Sequence, residues 1–299
     1  MRGVSNTGEN ILTQQATMRR FILFVLFAAL FGACEILTAS AGMPESPSLM
    51  VIVYHQIRNT ADGPPDSLEA ISLNRFESEM RYLSEHGYGT LSAAEVVDYL
   101  RGSKQPGKRI VAIHFDDGWK SAQLALPVLE RYGFKATFFI IAGKGIGWPD
   151  MDWDEIEAIG RNPRYDVYSH TMTHPWKPGD TMLDWVNGRT PGKGPDDVRW
   201  ELNESRRVLA EKLGRPVPYL AWPGGHYNEA MIQLAQESGY VALFTIDNGV
   251  NHPGDDPLRI RRTMVHGGCN DQVFAQILQD GVYRDCKLAP VGSNLRIGD

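Results

Sequence analysis

Short apolar runs alternate with amphipathic stretches along the chain from residue 50 onward. Runs such as 50–54 and 110–115 are apolar at almost every position, which is typical of strands that are buried on both faces. Between them, apolar residues recur at intervals of three and four, as at Phe76, Met80 and Leu83, and this spacing predicts a helix. The hydrophobic pattern therefore predicts strands and helices in alternation.

Local start and stop signals support this alternation. Ser92 with Glu95 three residues later forms a capping-box pattern, and Gly102, Gly133 and Gly214 follow predicted helices. Helices between short hydrophobic strands indicate βα units and a mostly parallel sheet. The predicted strands are 50–54, 110–115, 136–141, 165–168, 219–222 and 241–245, and the predicted helices are 73–83, 92–100, 121–132, 154–159, 198–213 and 229–238.

Length and charge narrow the fold and the partners. The chain has 299 residues and a formal net charge of −6. About seven βα units in roughly 250 residues favour a single-domain α/β barrel, with an open doubly wound sheet as the alternative. A mildly acidic chain without basic blocks argues against nucleic acid as a partner. Residues 175–197 are rich in Pro and Gly, and we interpret them as an excursion near a functional site, with a surface insertion as the alternative.

The N-terminal part of the chain carries a targeting pattern. Two arginines precede an apolar run at 21–31 that is too short to span a bilayer, and a small-x-small pattern follows it. We predict a signal peptide at 1–41, with Met18 as an alternative start, and an exported domain at 42–299. An uncleaved membrane anchor is the alternative to cleavage.

The interpretation of the three cysteines depends on this export. Cys34 follows Gly-Ala, as at a lipoprotein processing site, so a lipid anchor at Cys34 is a second hypothesis for membrane attachment. Cys269 and Cys286 are then the remaining pair, and oxidising compartments favour a disulfide between them. Two buried thiols are the alternative.

Two clusters of polar residues follow predicted strands. Asp116 and Asp117 come after the strand at 110–115, and His170 and His174 come after the next but one. Each cluster alone fits a plain alternative, a solvated turn or two unrelated surface histidines. In a parallel barrel, however, both would lie at the same end, where they would supply two imidazoles and a carboxylate for a metal ion and one spare carboxylate. Those groups suit metal-assisted hydrolysis.

The same residues resemble a known family. FDDG at 115–118 and SHTMTH at 169–174 resemble, in order and spacing, the first two motifs of the polysaccharide deacetylases, the NodB-homology group or carbohydrate esterase family four. The strand KATFF at 135–139 matches as well, and the resemblance covers about residues 50–265. It implies a distorted (β/α) barrel of about seven parallel strands that removes N-acetyl groups, and in some members O-acetyl groups, from glycans.

The resemblance also assigns roles to the two clusters. It implies that Asp116 is the general base and that Asp117, His170 and His174 bind one divalent metal ion. Zinc is the metal most often found in such sites, and cobalt or nickel would suit the same nitrogen and carboxylate ligands.

The third family motif, R-x-P-x-G, is altered in this chain. It falls at AWPGG, 221–225, so Ala221 stands where the family has the arginine that steadies the base. The cation must then come from elsewhere, and the candidates are Arg259, Arg261 and Arg262. The backbone N–H of Gly224 is still expected to stabilise the oxyanion, because a main-chain donor does not depend on its side chain.

The histidine expected as the catalytic acid has two candidates. The family motif L-x-I-x-x-H is matched better by MVIVYH, ending at His55, than by RRTMVH, ending at His266. The early position of this motif, with the D-x-x-D-W motif not found, resembles the circularly permuted deacetylases of biofilm poly-N-acetylglucosamine. We predict His55 as the acid, with His266 as the alternative.

The resemblance implies metal-dependent hydrolysis of N-acetyl groups from an N-acetylglucosamine-containing polysaccharide, with release of acetate. An acetyl-xylan esterase or a peptidoglycan deacetylase would use the same chemistry. The alternatives from other classes are a glycan-binding protein without activity and a metal-dependent phosphoesterase. Trp176, Trp185 and Trp222 are candidates for stacking on sugar rings, with core packing as the alternative.

Overall fold

The fold is taken from a computed structural model that describes residues 48–59, 69–103, 107, 109–143, 150–284 and 286. These residues belong to one compact unit. The predicted signal peptide, its alternative start Met18 and the candidate lipid site Cys34 lie outside the described residues. Within the described ranges, every helix is too short or too polar to cross a bilayer.

Strands and helices alternate along the described part of the chain. The strands are β1 (Leu49–Tyr54), β2 (Gln56–Arg58), β3 (Ala70–Ser72), β4 (Gly89–Leu91), β5 (Ile110–Phe115), β6 (Ala136–Ile140), β7 (Tyr165–Ser169), β8 (Trp176–Lys177), β9 (Asp180–Thr181), β10 (Tyr219–Ala221), β11 (Ala242–Phe244) and β12 (Thr263–Met264). The helices are α1 (Leu73–Glu85), α2 (Ala93–Leu100), α3 (Leu126–Tyr132), α4 (Trp153–Arg161), α5 (Met182–Val186), α6 (Pro195–Leu213), α7 (Glu229–Glu237) and α8 (Asp271–Asp280).

The central sheet has eight strands and only parallel pairings. Its order is β11-β10-β7-β6-β5-β1-β12, and β4 also pairs with β5. A parallel bridge between Phe244 and Ile260 joins β11 to the segment that leads into β12, so the sheet curls back toward its own first edge. The predicted α/β class and distorted (β/α) barrel are confirmed, with eight parallel strands against the expected seven or so.

The sequence signals account for most of these elements. Both β1 and β5 are buried along their whole length, as their continuous apolar pattern predicts. The capping box of Ser92 and Glu95 forms at the start of α2. The helix predicted at 121–132 divides into a 3₁₀ turn and α3, because Pro127 lacks the N–H that a continuous α-helix would need there.

The shortest elements have no counterpart in the prediction. They include the parallel pair β2–β3, the hairpin β8–β9, and α5 in the excursion. Elements of two to five residues are too short to show a period. Cys269 and Cys286, at the two ends of α8, form a disulfide with a Cα–Cα distance of 5.0 Å, so the hypothesis of a bridge holds over that of two thiols.

Strand register brings the carboxyl ends of five strands to one edge of the sheet. Tyr54 of β1 pairs with Phe115 of β5, and Ser169 of β7 pairs both with Ile140 of β6 and with Leu220 of β10. In parallel sheets the residues that follow such strands share one end of the fold, where active sites form. The predicted site residues therefore converge because of the register.

Candidate active site

Two adjacent carboxylates directly follow β5 and have different partners. The backbone N–H of Asp116 donates to the carbonyl of Tyr54 at 3.0 Å, so this residue still belongs to the strand pairing. Asp117 adopts a left-handed backbone with φ of 73°. The change of backbone conformation lets two neighbouring buried side chains serve separate functions.

The two imidazoles lie on a tight loop after β7. His170 N–H donates to the carbonyl of Ile140 at 2.8 Å, which fixes the start of the loop. Thr171 and His174 have positive φ values of 64° and 55°. With Asp117 they are the three non-glycine residues of the described chain in this conformation. Strained backbone of this kind concentrates at functional sites, where the surrounding structure maintains it.

A buried carboxylate from α6 holds this loop in place. Glu201 is 1% exposed and accepts hydrogen bonds from the backbone N–H groups of Met172 and Thr173, each at 2.8 Å. The Thr173 hydroxyl donates to its second oxygen. Three donors on a buried carboxylate compensate for its desolvation and fix the loop between the two imidazoles.

The spacing of three side-chain atoms fits one metal ion. Asp117 Oδ1 lies 3.3 Å from His170 Nε2 and 3.4 Å from His174 Nε2. Ligands about 2.0–2.1 Å from a tetrahedral zinc ion are about 3.3–3.4 Å apart. Asp117 Oδ1 is buried and has no hydrogen-bond partner among the described residues. These three residues form the one candidate cluster for a metal in the described part of the chain.

The hydrogen bonding of His170 supports the same assignment. Its Nδ1 lies 2.9 Å from the carbonyl oxygen of Ala221, which can only accept, so Nδ1 carries the proton. In the neutral ring, Nε2 is the atom with a lone pair, and it faces Asp117. A ring orientation fixed by a backbone carbonyl is the usual support of a metal-binding histidine.

The charges of Asp117 and His174 also suit metal binding. Burial would raise the pKa of Asp117, but the imidazoles around it, His170 first, hold that pKa well below its usual range. Burial, assisted by the charge of His170, lowers the pKa of His174 to about 3, which leaves its ring neutral. An ionised carboxylate and a neutral imidazole are the forms that bind divalent ions.

Asp116 is bound by a buried arginine. The Nη1 and Nη2 atoms of Arg262 each donate to one oxygen of Asp116 at 2.8 Å, and Nε donates to the carbonyl of Thr245 at 2.8 Å. Burial would raise the pKa of Asp116, but Arg262 and His170 outweigh it and bring it down to about 2. Asp116 is therefore ionised and fixed in orientation at any pH near neutrality.

These groups surround a small cavity of about 150 Å³ at the carboxyl end of the sheet. Its lining combines the carboxylates and imidazoles with aromatic and aliphatic side chains. The lining residues are His55, Glu69, Asp116, Asp117, Trp119, His170, His174, Trp176, Trp222, Gly224, Ile246 and Met264.

Comparison with known proteins finds a family match over the part of the chain that carries the two carboxylates and the two imidazoles. The family described as polysaccharide deacetylase matches residues 103–243, which include both clusters. The chain carries a polysaccharide deacetylase domain. YxkH of Bacillus subtilis, named for the same family, is 29% identical over 237 residues, which cover 79% of this chain and 78% of YxkH. The poly-beta-1,6-N-acetyl-D-glucosamine N-deacetylase of Staphylococcus aureus MRSA252 is 23% identical over 221 residues, or 70% of this chain and 71% of that protein.

Solved structures share the fold of this deacetylase domain. IcaB from Ammonifex degensii is 26% identical, with a TM-score of 0.65 over 79% of this chain and 97% of IcaB. The Streptococcus pyogenes deacetylase PplD, solved with acetate, is 22% identical, with the same TM-score over 79% of this chain and 98% of PplD, and it shows the likeness of fold.

The deacetylase domain places the two predicted acid histidines differently. His55 follows β1 and lines the cavity. His266 is buried beside Tyr283, with ring centroids 4.7 Å apart, and is not among the described residues that line the cavity. Gly224 also lines the cavity. The geometry therefore favours His55 over His266 as a group that can reach a substrate.

The arginine missing from the third motif of the deacetylase has a spatial substitute. Of the three candidates, Arg262 contacts Asp116. Arg259 binds Glu229 and Asp256, and Arg261 binds Asp255. Since Arg262 lies 41 residues after Ala221 in the sequence, only the fold brings it to Asp116.

The three tryptophans that are candidates for sugar stacking differ in their exposure to solvent. Trp222 is fully buried, with its ring parallel to Tyr227, and Trp185 is buried with its Nε1 donating to Asp180 at 2.6 Å. Trp176 is 44% exposed and lines the cavity, so it alone of the three offers an open ring face. The excursion at 175–197 therefore lies beside the site, as interpreted.

Glu201 is the site residue that the sequence analysis missed. It lies on the buried face of α6 with Val198, Leu202 and Ser205. A glutamate in a buried stripe needs a partner, because an unpaired buried carboxylate is costly. A glutamate at a buried position of a helix therefore indicates a nearby hydrogen-bond partner, although the sequence does not indicate where that partner lies.

Proposed function

We propose that this protein hydrolyses N-acetyl groups of an N-acetylglucosamine-containing polysaccharide and releases acetate and a free amine. One observation carries the proposal. Of two adjacent carboxylates at one cavity, Asp116 pairs with an arginine and Asp117 lies beside two imidazoles. This arrangement separates a base from a metal site. The curated relative that acts on poly-beta-1,6-N-acetyl-D-glucosamine supports the choice of sugar.

Asp117, His170 and His174 would hold a divalent ion, with zinc as the best fit and cobalt or nickel as alternatives. When bound, such an ion lowers the pKa of water and polarises a carbonyl group. The protein contributes the neutral imidazoles, the ionised carboxylate and the hydrogen bond from His170 to the Ala221 carbonyl, which together fix the ligand geometry.

Asp116 acts as the general base and takes a proton from the attacking water. Its low pKa makes it a weak base, so its value lies in being ionised and correctly oriented. Arg262 provides both properties through its two hydrogen bonds to the carboxylate. Acid–base catalysis of this kind contributes about 10²–10⁴-fold to the rate.

Gly224 and His55 serve the other two steps. The backbone N–H of Gly224 stabilises the oxyanion that forms on the acetyl carbonyl, and His55 donates a proton to the departing sugar nitrogen. Gly224 has φ of 57°, and a Cβ there would lie 3.1 Å from the His226 ring, so a side chain at this position would disturb the donor. The Nδ1 of His55 is buried without a hydrogen-bond partner among the described residues.

We also propose that the domain is exported. The N-terminal targeting pattern supports this, and the disulfide between Cys269 and Cys286 suits an oxidising compartment. Mass spectrometry of the protein from membrane and soluble fractions distinguishes a released chain from one that stays attached through Cys34.

One assay tests the proposed function against its alternatives. Free amine and acetate are measured with poly-N-acetylglucosamine, chitin oligomers, peptidoglycan and acetyl-xylan, with chelator and after addition of zinc, cobalt or nickel. We expect amine release from the N-acetylglucosamine polymer, loss with chelator and recovery with metal. Activity on acetyl-xylan or peptidoglycan alone would change the substrate, and binding without acetate release would favour a non-catalytic glycan-binding protein. Phosphate release from a phosphoester panel would favour the phosphoesterase.

A further inference from the structure

A second, larger cavity adjoins the first. It has a volume of about 440 Å³, and its lining includes His174 and Trp176, which also line the cavity with the carboxylates. Small-molecule sites are usually about 300–1,000 Å³, so the first cavity, at about 150 Å³, is too small for more than part of one sugar unit. The rest of a polymer must lie outside it.

The second cavity has exposed aromatic walls. Trp176 is 44% exposed and Trp200, on α6, is 51% exposed. Six large apolar side chains are exposed among the described residues, and Trp176, Trp200 and Ile246 all line one of these two cavities. Large aromatic rings left open to water in one place indicate a binding surface.

The cavity is built on an ordered frame. Trp185 forms its buried wall, with Nε1 donating to Asp180 at 2.6 Å and the Lys193 ammonium 4.5 Å from the ring centroid. The Thr190 hydroxyl donates to the Gly179 carbonyl at 2.9 Å and closes the segment across the β8–β9 turn. Trp176 is thus held beside the site by a folded segment.

We propose that this cavity binds the sugar unit next to the one that is deacetylated, on the same polysaccharide chain. The apolar face of that pyranose ring stacks on Trp200 and Trp176, and Lys177 donates to its hydroxyl or acetamido oxygens. The proposal rests on the proposed function and extends it, because it makes the enzyme sensitive to the length of its substrate.

The test compares the dependence on chain length in wild type and three variants. Deacetylation of β-1,6-linked N-acetylglucosamine is measured as kcat/KM for the single unit and for oligomers up to the hexamer, with wild type, Trp200→Ala, Trp200→Phe and Leu124→Ala. Wild type gains kcat/KM with length. In Trp200→Ala the increase of kcat/KM with chain length is about three- to tenfold smaller, as expected for one stacking contact, because KM is higher. Trp200→Phe keeps an aromatic face and recovers most of it.

Leu124 is another exposed apolar residue, away from both cavities, so Leu124→Ala controls for loss of surface apolar area and keeps the wild-type gain. The proposal is overturned if Trp200→Ala shows the same length dependence as wild type. If wild type deacetylates none of these oligomers, the proposed substrate is wrong instead. Binding of the hexamer to Asp116→Asn with and without Trp200→Ala then tests the cavity without turnover, and equal affinities would also overturn it.

Discussion

Two carboxyl groups of this protein are equally buried and each lies beside an arginine, yet their pKa values move in opposite directions. Glu79 on α1 is buried among core residues, and burial raises its pKa to about 7 despite Arg75 and a hydrogen bond from Tyr54. Asp116 at the end of β5 has its pKa lowered to about 2. Burial alone therefore does not determine which carboxylate is charged.

The difference lies in the geometry of the pairs. Arg262 is fully buried and directs two N–H groups at the two oxygens of Asp116. Arg75 is partly exposed and donates only its Nε to Glu79, while its Nη1 binds Asp271 at 2.5 Å. A bidentate pair shielded from water, together with the nearby His170, outweighs desolvation, whereas a single contact shared with another acid does not. In the candidate active site, ion pairing therefore outweighs the effect of burial.

The largest expected effect comes from removing the charge of Asp116. Asp116→Asn keeps the shape but cannot accept a proton, so kcat should fall by about 10²–10⁴-fold. Metal binding should be retained, because Asp117, His170 and His174 are unchanged. The measurements are amine release and metal content of the purified protein. Asp98→Asn, an exposed change on α2, is the control and should keep wild-type activity. Full activity of Asp116→Asn would show that another group is the base.

The next effect comes from changing the arginine and leaving the base. Arg262→Lys keeps a positive charge but loses the two parallel hydrogen bonds, so we expect activity to fall by about 10–100-fold. With weaker pairing, burial raises the pKa of Asp116, and the carboxylate is protonated at a higher pH. The acid limb of the kcat/KM profile should therefore move to higher pH in the variant, since activity is lost as pH falls through the pKa of the base. Unchanged activity and an unchanged acid limb would exclude Arg262 from this role.

Arg262 also shows where prediction from sequence stops. The strands, the two polar clusters and their convergence follow from local patterns, because residues after parallel strands meet at one end. The partner of Asp116 does not follow, since it comes from a different part of the chain and its neighbours Arg259 and Arg261 are equally good candidates in the sequence. Only the register of β12 with β1 brings Arg262 to the base.

The excursion teaches the same lesson. Its lack of period correctly indicates a site-related segment, but its hairpin and helix are too short for periodicity to reveal. Trp200 lies outside it, on a helix where one exposed aromatic is unremarkable in sequence. Only tertiary packing brings Trp176 and Trp200 to the lining of the same cavity.

An effect of similar size, on metal binding, is expected at Glu201, another buried carboxylate. Glu201→Ala removes the acceptor that holds the loop between His170 and His174, and we expect metal affinity to fall by about 10–100-fold. Glu201→Gln should restore most of it, because its amide oxygen accepts from both backbone N–H groups and its NH₂ donates to Thr173. Cobalt titration followed by visible absorption measures the affinity directly. Equal affinities in Glu201→Ala and wild type would limit Glu201 to a packing role.

The last expected effect concerns stability instead of activity and returns to Glu79. With a folded pKa of about 7, raised above the ordinary value of 4.5, the native state keeps a proton that the unfolded state releases as pH rises between these values. The free energy of unfolding should therefore decrease over this window, by at most about 3 kcal/mol, and level off above pH 7. Glu79→Gln cannot lose a proton, so its stability should decrease less than that of wild type between about pH 5 and pH 8.

Urea unfolding of the chelated protein at several pH values measures this difference. Chelation is used for both proteins so that metal binding does not add its own pH dependence. Glu85→Gln makes the same chemical change at an exposed position of α1 and should follow wild type. If Glu79→Gln and wild type lose stability in parallel across the window, Glu79 is ionised in the native state. Arg75 would then have overcome burial as Arg262 does, and the contrast between the two regions would disappear.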